Sequence, residues 1–138
     1  MRKKFPFYKQ ADAKDCGPTC LKIIAKHYGK NLNIQQLRNL SETTREGSNL
    51  LNLSEAAEQI GFRTLGVKLS FEKVNEAPLP CILHWNANHY VVLYKIKRDK
   101  IFISDPAFGL LEYSKEEFIK NWIGNNAEED TEEGIALL

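Results

Sequence analysis

Apolar residues recur at helical spacing through the first part of the chain and form short runs further on. Cys20, Ile23, Ile24 and Tyr28 fall on one face of a helix that Gly29 stops. Asp15 is placed to cap that helix, and Gly17 and Pro18 suit its first turn. Asn33 caps a second helix through Leu37 and Leu40. Gly47-Ser48 opens a third, with Leu50, Leu53, Ala57 and Ile60 on one face and Gly61 as its stop. Phe62 to Leu69 alternates enough for a strand, and Ser70 to Val74 predicts a helical turn. Pro78 and Pro80 fix the entry to the apolar run Cys81-Ile82-Leu83. A second run, Tyr90 to Tyr94, follows across the turn chemistry of Asn86-Ala87-Asn88. A third run, Ile101 to Ser104, ends at Asp105-Pro106, because proline cannot continue the ladder. Leu110 to Tyr113 predicts another strand. Ser114 and Glu117 have the spacing of a capping box for a helix bearing Phe118 and Trp122. Asn125 to Glu133 reads as an acidic loop, and Ile135 to Leu138 as an apolar, strand-like run. Helices precede strands, so the predicted class is α+β, with helices against one side of a mainly antiparallel sheet.

This layout puts a cysteine where chemistry favours it. Cys16 lies in the first turn of the first helix, beside unpaired backbone N–H groups and the positive end of the helix dipole, which favour thiolate over thiol. A nucleophilic thiolate needs a base and a group to orient that base. His27 lies at the far end of the helix between Lys26 and Lys30 and is expected to face water, whereas His84 and His89 bracket the Asn-containing turn. His89 starts a strand at the rim of the sheet. Antiparallel pairing of residues 90–96 with 101–104 brings Asp105 back next to it. The predicted constellation is Cys16 as nucleophile, His89 as proton shuttle, Asp105 as its orienter and the Gln10 amide as oxyanion donor, helped by the Cys16 N–H. The chain order Gln, Cys, His, Asp is that of papain-like enzymes.

Composition narrows the class. At 138 residues the chain fits one domain with one core. A formal net charge of +1 gives no argument for nucleic acid, and Arg2-Lys3-Lys4 reads as a solvated N-terminus. No apolar run is long enough to span a bilayer, and no signal-peptide core follows the basic start. Three irregularly spaced cysteines suit a reducing compartment. Cys20 and Cys81 are expected to pack inward, and Cys16, Cys20 and His27 lack a familiar zinc spacing, so no metal is expected.

Three segments together carry a resemblance: Gln10…Asp15-Cys16-Gly17-Pro18-Thr19-Cys20-Leu21, His84-Trp85-Asn86…Asn88-His89-Tyr90-Val91-Val92-Leu93, and Asp105-Pro106…Gly109. From Pro6 to Leu138 the chain resembles the bacteriocin-processing cysteine-peptidase domains found at the N-terminus of peptidase-containing ABC transporters. The resemblance implies a papain-like fold, a Cys16–His89–Asp105 triad, Gln10 at the oxyanion and no cofactor. It also implies cleavage of leader peptides after a Gly-Gly or Gly-Ala pair. Implied partners are the precursor peptide and the transmembrane and nucleotide-binding domains of a parent transporter. The isolated domain is expected to be a monomer on the cytoplasmic side of a bacterial membrane, and the parent a homodimer. Residues 1–138 would then be one domain, and the abrupt apolar end at Leu138 fits an excised N-terminal piece. Two glycines at the cut imply a narrow passage to the thiolate, with Trp85 as a candidate wall. An amphipathic leader helix in a surface groove would supply affinity. Rival readings are a papain-like amidase or acyltransferase on a small substrate, and a non-catalytic module that only binds the export substrate.

Overall fold

A computed structural model describes residues 5–41, 49–86, 89–123 and 134–138. The expected opening at Gly47-Ser48, the Ala87-Asn88 part of the turn, the Asn125–Glu133 loop and the basic start at Arg2-Lys3-Lys4 lie outside them. Among the described residues, six strands form one antiparallel sheet: β1 (Gly66–Leu69), β2 (Cys81–Trp85), β3 (His89–Lys97), β4 (Lys100–Asp105), β5 (Gly109–Ser114) and β6 (Gly134–Leu137). Their order is β1-β6-β2-β3-β4-β5. The last strand therefore sits between the first and second, and β1 pairs with β6 alone. β1 begins at Gly66, later than the periodicity predicts; Leu65 still exchanges backbone bonds with Leu138, its N–H donating at 3.4 Å and its carbonyl accepting at 3.0 Å, whereas Phe62 to Thr64 lies outside the strand.

Helices cover both faces of the sheet. α1 (Cys16–His27), α2 (Ile34–Leu40) and α3 (Leu50–Gln59) pack with Ile82, Tyr90, Val92 and Leu137 on one side. The short α4 (Phe71–Val74) and α5 (Lys115–Trp122) pack with Leu83, Val91, Leu93 and Ile103 on the other. The α+β class holds, but the one-sided arrangement does not. Leu83 and Val91 alternate with Ile82 and Val92 and bury a second apolar face, which α5 covers with Phe118 and Trp122. Local chemistry sets the helix ends as expected. Asn33 and Ser70 accept from backbone N–H groups at their helix starts, and Ser114 and Glu117 form the reciprocal capping box. Gly29 ends α1 at φ +87°, where a Cβ would be strained. Asp15 stands at the N-cap position of α1, yet its carboxylate makes no capping bond. Among the described residues, no helix is long and apolar enough to cross a membrane.

The N-terminal segment is laid against the sheet. Phe5 stacks on Tyr94 with ring centroids 4.2 Å apart, and Ser104 Oγ donates to the Pro6 carbonyl at 3.1 Å. The Gln10 N–H then donates to the Pro106 carbonyl at 2.8 Å. These contacts bring Gln10 to the end of β4, beside Asp105.

Candidate active site

His89 is the first residue of β3 and Asp105 the last of β4, at the same end of the sheet. The His89 Nε2–H donates to Asp105 Oδ1 at 2.7 Å. The same oxygen accepts the Ala107 N–H at 2.9 Å, so the tight turn into β5 holds the carboxylate in place. Gly109 closes that turn at φ +123°. The Asp105 side chain is only 3% exposed and that of His89 17%. With Nε2 committed to Asp105, the other ring nitrogen is left to serve the Cys16 sulfur, which with Asp105 favours the protonated ring. Cys16 opens α1 and is 6% exposed.

Burial alone would lower the His89 pKa, but the hydrogen bonds to Asp105 and Cys16, and their charges, raise it from 6.5 to about 9. The ring is therefore protonated at neutral pH, with a carboxylate on one side and a sulfur on the other. A sulfur nucleophile, an imidazolium able to give up and retake a proton, and a fixed carboxylate can together carry out acyl transfer. The other thiols lie outside this arrangement. Burial pushes the Cys20 thiol well up, with the charges of Cys16 and Asp105 adding to it. Burial pushes the Cys81 thiol up to about 12. Both are held as inert thiols in the cores. Among the described residues, no group of three or more His, Cys, Asp or Glu side chains is arranged to hold a metal ion.

Gln10 reaches the site through its backbone bond to Pro106. Its Nε2 donates one hydrogen to the Asp12 carbonyl at 3.1 Å and, among the described residues, has no further acceptor, so a ligand can take the second. Its Oε1 is buried without a partner among the described residues. Trp85 is the expectation that the structure overturns. It is 2% exposed and packs against Tyr113 and Phe118, at centroid distances of 5.4 and 5.6 Å, in the core under α5. A side chain enclosed there cannot line a passage to Cys16. His27 is exposed at the far end of α1, against Phe5, and the His84 ring lies 5.2 Å from that of Tyr90.

The motifs missed two features. One is Arg38, whose guanidinium holds Asp15, the residue before Cys16. An arginine one turn after the Asn33 cap carried no signal of that pairing. The other is an apolar cleft of about 410 Å³ on the α1 side of the sheet, lined by Leu21 and Ile24 of α1, Tyr28 at its C-cap, and Phe62, Leu65 and Leu79. Tyr28 and Leu65 remain more than half exposed at its edge. The signal was available in part, since the apolar stripe of α1 runs on to Tyr28, beyond the residues the core needs.

The profile of the peptidase C39 family matches residues 4–129. The chain is 41% identical over 121 residues to the lactococcin-G-processing and transport ATP-binding protein of Lactococcus lactis subsp. lactis. That match covers 83% of this chain and 17% of the relative, so the chain spans less than a fifth of the relative's length. Its fold is similar to that of a double glycine motif protease from an AMS/PCAT transporter, solved in complex with the leader peptide. The TM-score is 0.87 at 34% identity, over 98% of this chain and 90% of that one. The peptidase domain of Streptococcus ComA, a bi-functional ABC transporter involved in a quorum sensing pathway, is also similar. It gives a TM-score of 0.84 at 32% identity, over 98% of this chain and 97% of that one.

Proposed function

Because this chain belongs to the peptidase C39 family of cysteine peptidases, we propose that it is an endopeptidase that removes the leader of secreted precursor peptides after a Gly-Gly or Gly-Ala pair. The observation that carries this reading is the His89 Nε2–Asp105 Oδ1 bond at 2.7 Å, with Cys16 at the start of α1 near enough to help raise the His89 pKa. The Cys16 sulfur attacks the carbonyl carbon before the cut while His89 holds the proton. The oxyanion that forms accepts from the Cys16 N–H and from the free amide hydrogen of Gln10. His89 passes its proton to the departing amine as the C–N bond breaks and a thioester remains. Water then attacks the thioester and gives a proton to His89. The C–S bond breaks, freeing the leader as a carboxylic acid that loses its remaining proton to solvent and restoring the starting pair. Asp105 keeps the ring turned so that the nitrogen facing Cys16 does this work.

Two glycines offer almost no surface to bury, so affinity must come from further along the leader. Leu21, Ile24 and Tyr28 lie about 8, 12 and 18 Å along the α1 axis from Cys16, at 1.5 Å per residue. A Gly-Gly pair in extended form covers about 7 Å. An amphipathic helix starting there would lie along the cleft with its apolar side chains inward. In the whole protein, this domain would sit on the cytoplasmic side of a bacterial membrane, joined to transmembrane and nucleotide-binding domains of a homodimeric transporter that exports the cleaved product. The similarity to transport ATP-binding proteins supports that setting.

The test uses precursors encoded near the parent gene, incubated with the chain and weighed by mass spectrometry. Cleavage after the glycine pair is expected, with none from Cys16→Ala, which should still bind the leader. Ile24→Asp should raise KM strongly at similar kcat, the pattern of lost uniform binding. Cleavage at other bonds, or turnover by Cys16→Ala, would refute the assignment. A Gly-Gly tetrapeptide cut as efficiently as the full precursor would refute the role of the cleft.

A further inference from the structure

Asp15 presents a physical problem in this site. It precedes the proposed nucleophile directly, and its side chain is 1% exposed. A buried carboxylate there would oppose negative charge on the sulfur and on an oxyanion. An aspartate at the N-cap would ordinarily also turn its carboxylate onto the first N–H groups of the helix. Neither happens. The Asp15 side chain gives no capping bond to α1. Arg38, reaching from α2, takes both carboxylate oxygens: its Nε–H donates to Oδ1 at 2.9 Å and its Nη2–H to Oδ2. The third arm of the same fork donates to Gln35 Oε1 at 3.1 Å, which fixes the guanidinium plane.

We propose that Arg38 is a positioning residue for the nucleophile: it holds the Asp15 carboxylate off the start of α1 and offsets its charge beside Cys16. The inference rests on the catalytic reading of Cys16 and deepens it. With the carboxylate turned away, the first-turn amides keep their positive field for the sulfur and the oxyanion. The bidentate grip also fixes the peptide that carries Cys16, so its sulfur meets His89 in one orientation. A lysine could supply the charge but not the planar two-point grip.

The charged and titratable groups around Cys16 are His89 and Tyr90 from β3, Asp105 from β4, Cys20 on α1, and the Asp15–Arg38 pair with Asp12 nearby. Because the pair is neutral as a unit, removing either member should move the charge balance in opposite directions. The probe is iodoacetamide. Its rate with Cys16 is followed by peptide mass spectrometry from pH 5 to 9 on the 138-residue chain, with circular dichroism confirming the fold. Arg38→Gln should move the midpoint of the alkylation profile up by about one pH unit, and Asp15→Asn should move it down by a similar amount. Arg38→Lys should keep the wild-type midpoint, with a lower kcat for peptide cleavage.

Folded Arg38→Gln and Asp15→Asn chains with the wild-type profile would overturn the proposal and leave the catalytic reading standing. If Arg38→Gln fails to fold, Asp15→Asn decides alone: a downward shift supports the proposal and an unmoved profile rejects it. A wild-type chain in which Cys16 reacts no faster than Cys20 or Cys81 would remove the catalytic reading and this inference together.

Discussion

Replacing Asp105 by asparagine separates charge from shape in the proposed site. The asparagine oxygen can still accept from His89 Nε2 and Ala107, which both bind Oδ1, so the ring should stay in place. What disappears is the negative charge. Burial would lower the His89 pKa, but the Asp105 hydrogen bond and the influence of Asp105 and Cys16 hold it at about 9, against 6.5 for an ordinary histidine. Loss of an opposite charge at this distance moves a pKa by roughly 1 to 3 pH units. In Asp105→Asn the His89 value should therefore fall to between about 6 and 8. The assay is NMR titration of 13C-labelled histidine, with His89 assigned by comparison with His89→Gln. Attack needs the protonated ring, so the alkaline limb of kcat/KM should move from about 9 down by the same amount. The sign for stability follows from the same shift. The folded-state value lies above the unfolded one, so the stabilisation is fully present below about 6.5 and is lost as pH rises through about 9. That loss should be absent or smaller in Asp105→Asn. A His89 titration unchanged by the substitution would show that Asp105 does not hold the proton on the ring, and the proposed role would fall.

Gln10→Ala removes an oxyanion donor and should lower kcat by about 10² to 10³ with little change in KM. Steady-state kinetics on a precursor checks this, and a rise in KM alone would reassign Gln10 to substrate binding. Gly134→Ala should destabilise the fold by about 1 to 3 kcal/mol in urea titration. The new Cβ would lie 2.5 Å from Trp122 Cδ2 and 2.6 Å from Nε1, and the indole is tied by its N–H to the Ile135 carbonyl at 3.0 Å. An unchanged midpoint would mean that the indole moves away at no cost. His84→Ala should leave the acid and alkaline limbs of the rate profile in place. A displaced limb would give His84 a part in proton transfer.

The parts of the fold readable from sequence were those set by neighbouring residues. Asn33, Ser70 and Ser114 cap helices through bonds to residues two or three positions away, and Gly29 and Gly61 end them through their own backbone geometry. The approach of Asp105 to His89 was legible for a similar reason, since one short connection joins β3 to β4. Distant partners were not legible. Phe62 to Thr64 has strand-like alternation, but the partner of β1 is β6, more than sixty residues later, and it pairs only from Leu65 onward. Asp15 looks like an N-cap until Arg38 arrives from α2. The closeness of Trp85 to two histidines in sequence suggests it as a wall of the passage to Cys16. The period-two rule puts it on the face of Leu83, which α5 covers.

The sheet separates two apolar cores, and the proposed catalytic bonds run between parts that those cores support differently. His89 and Asp105 are fixed to each other within the sheet, whereas Cys16 rides on a helix whose inner face belongs to one core only. The link between sulfur and ring is thus a joint between two layers. A shift of the helical layer by about 1 Å against the sheet would misplace the sulfur, and a misplacement of that size can cost about a hundredfold in rate. Alignment is therefore a more fragile property of this molecule than cohesion. As urea is raised, turnover should fade before the circular-dichroism transition begins, and substitutions at the α1–β3 contact should silence the enzyme without unfolding it.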